Sequence, residues 1–305
     1  MQISAITHTS CPACFASSIH LVLTAKDYTV SGNEFEIWEC AECTVRFTQH
    51  APDAAAIKAY YQSENYISHT NTKKGLVNRL YHFARKQTLA GKRRLVVSSV
   101  NKSAGKPLHS GKLLDIGAGT GAFVQHMQMH GWQAMGLEPD EKARQRAAET
   151  QQVALLPIET LETMEENSFD AITMWHVLEH VHALPAYLLQ LKKIIKPEGV
   201  VFIAVPNYTA YDADVYKSYW AAYDVPRHLY HFSPASMKQL LKKYDLRLHA
   251  VCPMWFDSFY ISMLSEKYKT GHSNIVKAFF TGAVSNIEAA FKKEHCSSLI
   301  YVVGK

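Results

Sequence analysis

The feature that most constrains this chain is an apolar run that breaks into three closely spaced glycines. It reads Lys112-Leu-Leu-Asp115-Ile-Gly117-Ala118-Gly119-Thr-Gly121-Ala-Phe-Val. Leu113–Ile116 reads as a buried strand and the glycines as a turn. Thr120–His130 reads as a helix, closed by Gly131 as its C-terminal cap. Glycine lets backbone approach a ligand, and the start of a helix offers free N–H groups to an anion. The spacing is Gly-x-Gly-x-Gly rather than the Gly-x-Gly-x-x-Gly of nicotinamide-binding folds. Asp115 stands just before the turn, where a carboxylate suits a ligand with a positive amine better than a pyrophosphate.

A second strand, Gln133–Leu137, ends at Glu138, 23 residues after Asp115. A carboxylate at the end of the second strand can accept from both hydroxyls of a ribose. Ribose recognition without a dinucleotide-type loop points away from NAD.

These segments resemble the class I S-adenosylmethionine-dependent methyltransferases, over about residues 111–305. LLDIGAGTG resembles the first motif of that family and GLEPD the second. NSFDAITMWHVLEHV (167–181) resembles the fourth strand and its loop, and LKKIIKPEGVVFIAVPN (191–207) the next helix and fifth strand. The resemblance implies an α/β, doubly wound, Rossmann-like sheet of seven strands, the last antiparallel, with Leu246–Pro253 sixth and Ser298–Val303 seventh. It implies S-adenosylmethionine as cofactor. Asp115, Gly117, Ala118, Gly119 and Gly121 would then hold its methionine part and Glu138 its ribose. Leu137 or Pro139 would flank the adenine, with Ile158 and Glu159 at the adenine edge. Trp175 and His176 would close over the sulfonium. DVPRHLYHFSP (224–234) resembles a segment recurring in one branch of the family.

Ahead of this domain, Cys11-x-x-Cys14 and Cys40-x-x-Cys43 are separated by 25 residues. Two such pairs can supply four thiolates to one tetrahedral metal, usually zinc. Between them, His20–Thr24, a turn at Ser31–Asn33 and Phe35–Trp38 read as a hairpin. Residues 1–50 are expected to form a zinc-ribbon-like module with a closed structural site. Spacing alone leaves iron, disulfides and free thiols open. Residues 51–110 read as a helical linker, and 255–295 as a helical insertion in the domain of 111–305. The insertion's aromatics (Trp255, Phe256, Phe259, Tyr260, Phe279, Phe280 among them) suit core packing, a cover for an apolar substrate, or a dimer surface.

Charge is localised. The segment from Lys73 to Lys112 holds eleven Lys/Arg and no Asp/Glu, whereas the rest of the chain is net acidic. Such a segment either steers anions or is a solvated helix face. Tyr60, Tyr61 and Tyr66 form an aromatic cluster just before it, read as packing or as a lid.

His176-Val-Leu-Glu179-His180 also matches the inverted zincin pattern H-x-x-E-H, but it follows a buried strand rather than lying in a long helix, and that reading is set aside. Methyl transfer to a hydroxyl needs a base, and histidine suits neutral pH. His180 and His228 are the first candidates, with His176 and His231 behind them. A bond to backbone is the structural alternative for each. Arg227 suits an anionic substrate group or a neighbouring carboxylate.

The function expected is methyl transfer to a small-molecule acceptor, on an oxygen nucleophile, by in-line displacement. The competing class is an RNA or protein methyltransferase gripping its substrate with the ribbon and basic helix. It is not favoured, because the Asp/Asn-Pro-Pro-aromatic loop of base-amine methylation is absent at 175–181. A non-catalytic binding protein is disfavoured by intact Asp115 and Glu138. No run of eighteen apolar residues exists, so no membrane span is expected. No secretory signal is read at the N-terminus, and the expected location is the cytoplasm.

Overall fold

The computed structural model describes residues 4–61, 76–108, 110–272 and 274–305, with backbone alone from 76 to 86. Tyr66 and Lys73 lie outside the described residues. The N-terminal part holds strands β1 (Ala5–Ile6), β2 (Ile19–Lys26), β3 (Glu34–Cys40), β4 (Arg46–Thr48) and β5 (Ala51–Pro52). The β2–β3 hairpin pairs from Ile19 with Cys40 to Lys26 with Glu34. Asp27 folds its turn, accepting from the backbone N–H groups of Thr29, Val30 and Ser31, as turn carboxylates do. Residues 54–61, read as a helix, form a 3-10 turn at Ala56–Tyr61. The long helix α1 (Leu76–Ala104) follows.

The second part runs β6 (Lys112–Ile116), α2 (Ala122–Gln128), β7 (Gln133–Leu137), α3 (Glu141–Gln151), β8 (Phe169–Trp175), α4 (Leu184–Ile194) and β9 (Ile195–Pro206). It continues through α5 (Tyr211–Tyr216), β10 (Tyr230–His231), α6 (Pro234–Lys243), β11 (Arg247–Pro253), α7 (Asp257–Thr270), α8 (Ile275–Phe291) and β12 (Ser298–Gly304). The main sheet has six strands in the order β11-β12-β9-β8-β6-β7. β12 is antiparallel to both neighbours, while β7, β6, β8 and β9 run parallel. Successive residues of β6 face opposite layers. Leu114 and Ile116 belong to the core cluster that also holds residues of α4 and α6, whereas Leu113 belongs to the one with Val96 and Val100 of α1 and Phe123 of α2.

The sheet corrects the expectation of seven strands. The third strand is reduced to a single bridge, Leu137 with Leu156. Two hydrogen bonds make it, Leu156 N–H to Gly136 O and Glu138 N–H to Leu156 O. Gln152, in the left-handed region, ends α3 just before it. Pro157 follows at once, and proline has no N–H to extend a ladder.

β10 leaves the main sheet's side of the molecule and pairs with β4, Tyr230 with Phe47 and His231 with Arg46. The hairpin and the loop after β9 therefore share one sheet, β10-β4-β3-β2. Tyr208 Oη donates to Thr44 O at 2.7 Å and Tyr244 Oη to Ala13 O at 3.1 Å across the same seam. Ser233 caps α6 reciprocally with Ser236, with Pro234 at the first turn, as a capping box requires.

Candidate active site and metal centre

β6 and β7 are neighbours, so their C-terminal ends bring Asp115 and Glu138 to one edge of the sheet. Asp115 is buried and accepts from Thr173 Oγ1 at 2.6 Å. Burial raises its pKa to about 7, against the pull of Thr173 and of the Lys92 charge. Glu138 accepts from Gly119 N–H at 2.7 Å through one oxygen and from Asp140 N–H at 3.0 Å through the other. Each carboxylate oxygen has a further lone pair, so both can still take a hydroxyl. Burial pushes this carboxyl upward.

The glycine loop fits a bound ligand. Gly117, at φ +72°, lies against Val177, and a side chain there would overlap Val177 Cγ2. Gly119, at φ +56°, has open space where a Cβ would stand. Gly121, also left-handed, is the N-cap of α2. The N–H groups of Gly117 and Ala118 both donate to Leu137 O. Trp175 ends β8 with its ring edge-on to Phe123, and its buried indole N–H has no partner among the described residues. Ile158 and Glu159 begin a 3-10 turn just after the bridge at Leu156, and Pro139 precedes the N-cap of α3.

One contributor was missed at residue level. Lys92 of α1 holds its ammonium 4.1 Å from the centroid of the Trp175 ring. Desolvation lowers its pKa, and Asp115 and Asp257 raise it. The charge asymmetry of α1 was legible, but which lysine turns inward was not.

The histidines separate into distinct roles. His176, at φ +58°, lies 3.1 Å from Asp257 Oδ2 and 3.3 Å from Glu179 Oε1. Burial opposes its charge, but the two carboxylates prevail and raise its pKa to about 10. It is a fixed cation rather than a proton acceptor. His231 is buried, 3.2 Å from Thr48 Oγ1, and burial drops its pKa well below the usual range. His180 Nδ1 lies 3.0 Å from Arg227 O and 2.9 Å from Tyr61 Oη. Burial, then the His228 charge, lowers its pKa to about 4. His228 Nδ1 lies 2.8 Å from Ala222 O. A carbonyl can only accept, so Nδ1 carries a proton in both rings, and the low pKa of His180 leaves its Nε2 with a lone pair. The two rings meet edge to face at 4.6 Å. Glu179, His180 and His228 each bring a ligand atom within 4.8 Å of the others, and the buried Glu179 also faces His176 Nδ1 at 3.3 Å through Oε1.

Arg227 is not free for a substrate anion. It is 1% exposed, bonds Asp224 through Nε at 3.0 Å and Nη2 at 2.6 Å, and reaches Asp27 Oδ1 at 3.2 Å. Its Nη1 donates to Tyr60 O at 3.3 Å. The hairpin turn, the 3-10 turn and the loop before β10 thus converge on one guanidinium. Beside them, a wide groove of about 630 Å³ opens between β2 and α5, lined by Leu23, Arg46, Tyr208, Ala213 and Tyr223 among others.

The four cysteines converge as well. Cys11, Cys14, Cys40 and Cys43 bring their sulfurs within 4.8 Å of one another, with Cys11 to Cys43 at 3.6 Å and Cys14 to Cys40 at 3.5 Å. None of the four is in a disulfide. Gaps of this size suit a tetrahedral ion with metal–sulfur bonds of about 2.3 Å.

A family model described as a methyltransferase domain matches residues 85–251. The mitochondrial ubiquinone biosynthesis O-methyltransferase of Rattus norvegicus is 27% identical over 183 residues, 54% of this chain and 52% of its own length. The ubiquinone biosynthesis O-methyltransferase of Xanthomonas oryzae pv. oryzae strain PXO99A is 29% identical over 168 residues, 51% of this chain and 70% of its own. The chain thus spans about half the length of the rat relative. The geranyl diphosphate C-methyltransferase of Streptomyces coelicolor A3(2) superposes with a TM-score of 0.51 at 12% identity, covering 77% of this chain and 86% of its own. At that identity the likeness is one of fold.

Proposed function

The chain belongs to the methyltransferase-domain family, and from that premise we propose that it transfers a methyl group from S-adenosylmethionine to an oxygen of a small-molecule acceptor. When bound, the cofactor supplies an electrophilic methyl group on its sulfonium. Asp115 would hold its ammonium and Glu138 its ribose hydroxyls. The glycine loop would carry the methionine part, under Trp175. Leu137, Pro139, Ile158 and Glu159 would line the adenine. The donor is intrinsically reactive, so orientation and exclusion of water are the protein's main tasks.

The oxygen acceptor is supported by the names of the relatives and by one local observation, the His180–His228 pair. Each imidazole is locked through Nδ1 to a carbonyl, so Nε2 is the atom at which a hydroxyl proton would be taken. The low pKa of His180 keeps it neutral at physiological pH. His176 has the opposite character, and its part is to tie the β8 exit to α7. The four-cysteine cluster is read as a structural zinc site, with 1–50 as its module and 51–110 as the connection to the domain of 111–305. The turning of Lys92 onto Trp175 takes one charge of the basic helix away from any macromolecular grip.

The test follows a labelled methyl group from S-adenosylmethionine into a fractionated lysate. Label is expected among small molecules. His180→Ala should lower kcat by about 100-fold, in the range of general-base losses, with cofactor affinity within about twofold. Label in RNA or protein would overturn the proposal.

A further inference from the structure

The α7–α8 hairpin is built inside out. Its buried residues include Ser258, Ser262 and Ser265 on α7 and Gly282, Ser285 and Ala289 on α8. Its exposed residues include the N-cap Phe256 with Tyr260 and Met263 of α7, and Phe280, Ile287 and Phe291 on α8, with Phe280 at 63% and Phe291 at 86% exposure. A surface helix ordinarily places these classes the other way round. The aromatics of the insertion are therefore not core, apart from partly covered rings such as Tyr268, which stacks on Tyr28. A Cβ on Gly282 would stand 2.9 Å from Phe259 Cδ1 and 3.1 Å from its backbone, so the two helices touch nearly backbone to backbone. Small residues between helices and large apolar ones outside are the packing of helices that face lipid.

The exposed positions form ordered stripes. Residues 260, 263 and 267 fall on one side of α7, continuing the N-cap residue 256, and 276, 280, 284, 287 and 291 fall on one side of α8, at helical spacing. Lys267 ends the first stripe and Lys292 and Lys293 follow the second. The hairpin's carboxylates are mostly engaged: Glu266 is buried and paired with Lys277 at 3.0 Å, and Glu288 lies 3.2 Å from His295. At 14 and 17 residues the helices fall short of the roughly 20 needed to cross a bilayer. No helix among the described residues is long and apolar enough to cross a membrane.

We propose that this hairpin docks on an anionic lipid bilayer, its stripes at the headgroup–acyl boundary and its lysines among the headgroups, as interfacial amphipathic helices do. A second copy of the chain fits less well, because a two-fold contact lays the lysine-flanked patch against itself. The hairpin is tied rigidly to the cleft. Asp257, first in α7, is ion-paired with His176, and Ser285 Oγ donates to buried Asp212 at 2.9 Å. Docking would therefore bring the cleft to the bilayer, where an apolar hydroxyl-bearing acceptor dissolves; this last step rests on the methyl-transfer reading above.

The test is co-sedimentation of the full chain with unilamellar vesicles of phosphatidylcholine, with and without phosphatidylglycerol. Binding to the anionic vesicles is expected to be about 100-fold tighter, from three lysines at about 1 kcal/mol each near the surface. The Phe280→Ser/Ile287→Ser variant should bind about tenfold more weakly, and Lys292→Gln/Lys293→Gln should lose most of the preference for anionic lipid. No binding to either vesicle, or binding unchanged in the first variant, overturns the proposal. So does a solution dimer that the first variant splits without any vesicle binding. Calorimetry of S-adenosylmethionine on the same variants should stay within about twofold, which separates failure of docking from failure of the methyl-transfer reading.

Discussion

The glycine loop and the loop before β10 both press on the exit of β8. Gly117 lies against Val177 from one side. Leu229 N–H donates to Glu179 O at 2.7 Å, and Arg227 O meets His180, from the other. The glycine loop is held by its own neighbourhood: its N–H groups bond Leu137 O and Glu138, some twenty residues away. The second loop is held from the N-terminal part, through Asp27, Tyr60 and the Thr48 hydroxyl on His228 O. One rim is local and self-supporting. The other depends on partners about 180 residues distant, and so on whatever keeps the cysteine module folded.

This contrast can be broken by experiment. The largest effect should come from removing the proposed zinc with a chelator. Methyl transfer is expected to fall about 100-fold or more, because structural metal binding is folding free energy, while S-adenosylmethionine affinity measured by calorimetry stays within about threefold. An equal loss of both would mean the rims are not independent. Glu138→Ala should do the reverse. Affinity for the cofactor should fall about 30- to 100-fold, from lost hydrogen bonds to a charged group, with the urea midpoint little changed.

Asp27→Ala should lower stability by about 2–4 kcal/mol in urea unfolding, since the buried guanidinium keeps Asp224 but loses a second carboxylate. A change under about 0.5 kcal/mol would show that the seam is held without the Asp27–Arg227 pair. The smallest effect concerns pH. Asp115 attracts an ammonium only when ionised, and burial raises its pKa to about 7. Cofactor affinity should therefore weaken as pH falls below about 7, by at most about tenfold per unit. Asp115→Asn should flatten that dependence.

Much of the cofactor side was legible because its signals are local. Gln133–Leu137 forms β7 at the expected bounds. The third strand was not legible, because a short apolar run ahead of Pro157 gives no sign of how many rungs will pair. Among the histidines, residue type could nominate candidates but could not rank them. His176 and His180 are four residues apart, yet one lies between two carboxylates and the other between two neutral oxygens. Arg227 had been offered a substrate anion or a carboxylate, and its second partner, Asp27, is 200 residues away.

The sequence alone determined the strand–turn–helix around Asp115, the acid at the end of the next strand and the two cysteine pairs, because each is set by backbone chemistry within a few residues. Tertiary structure decided which lysine turns inward, which histidine stays neutral and which face of the α7–α8 hairpin looks outward. Those properties depend on what burial removes and which charges long-range packing brings near, and neither is written in local spacing.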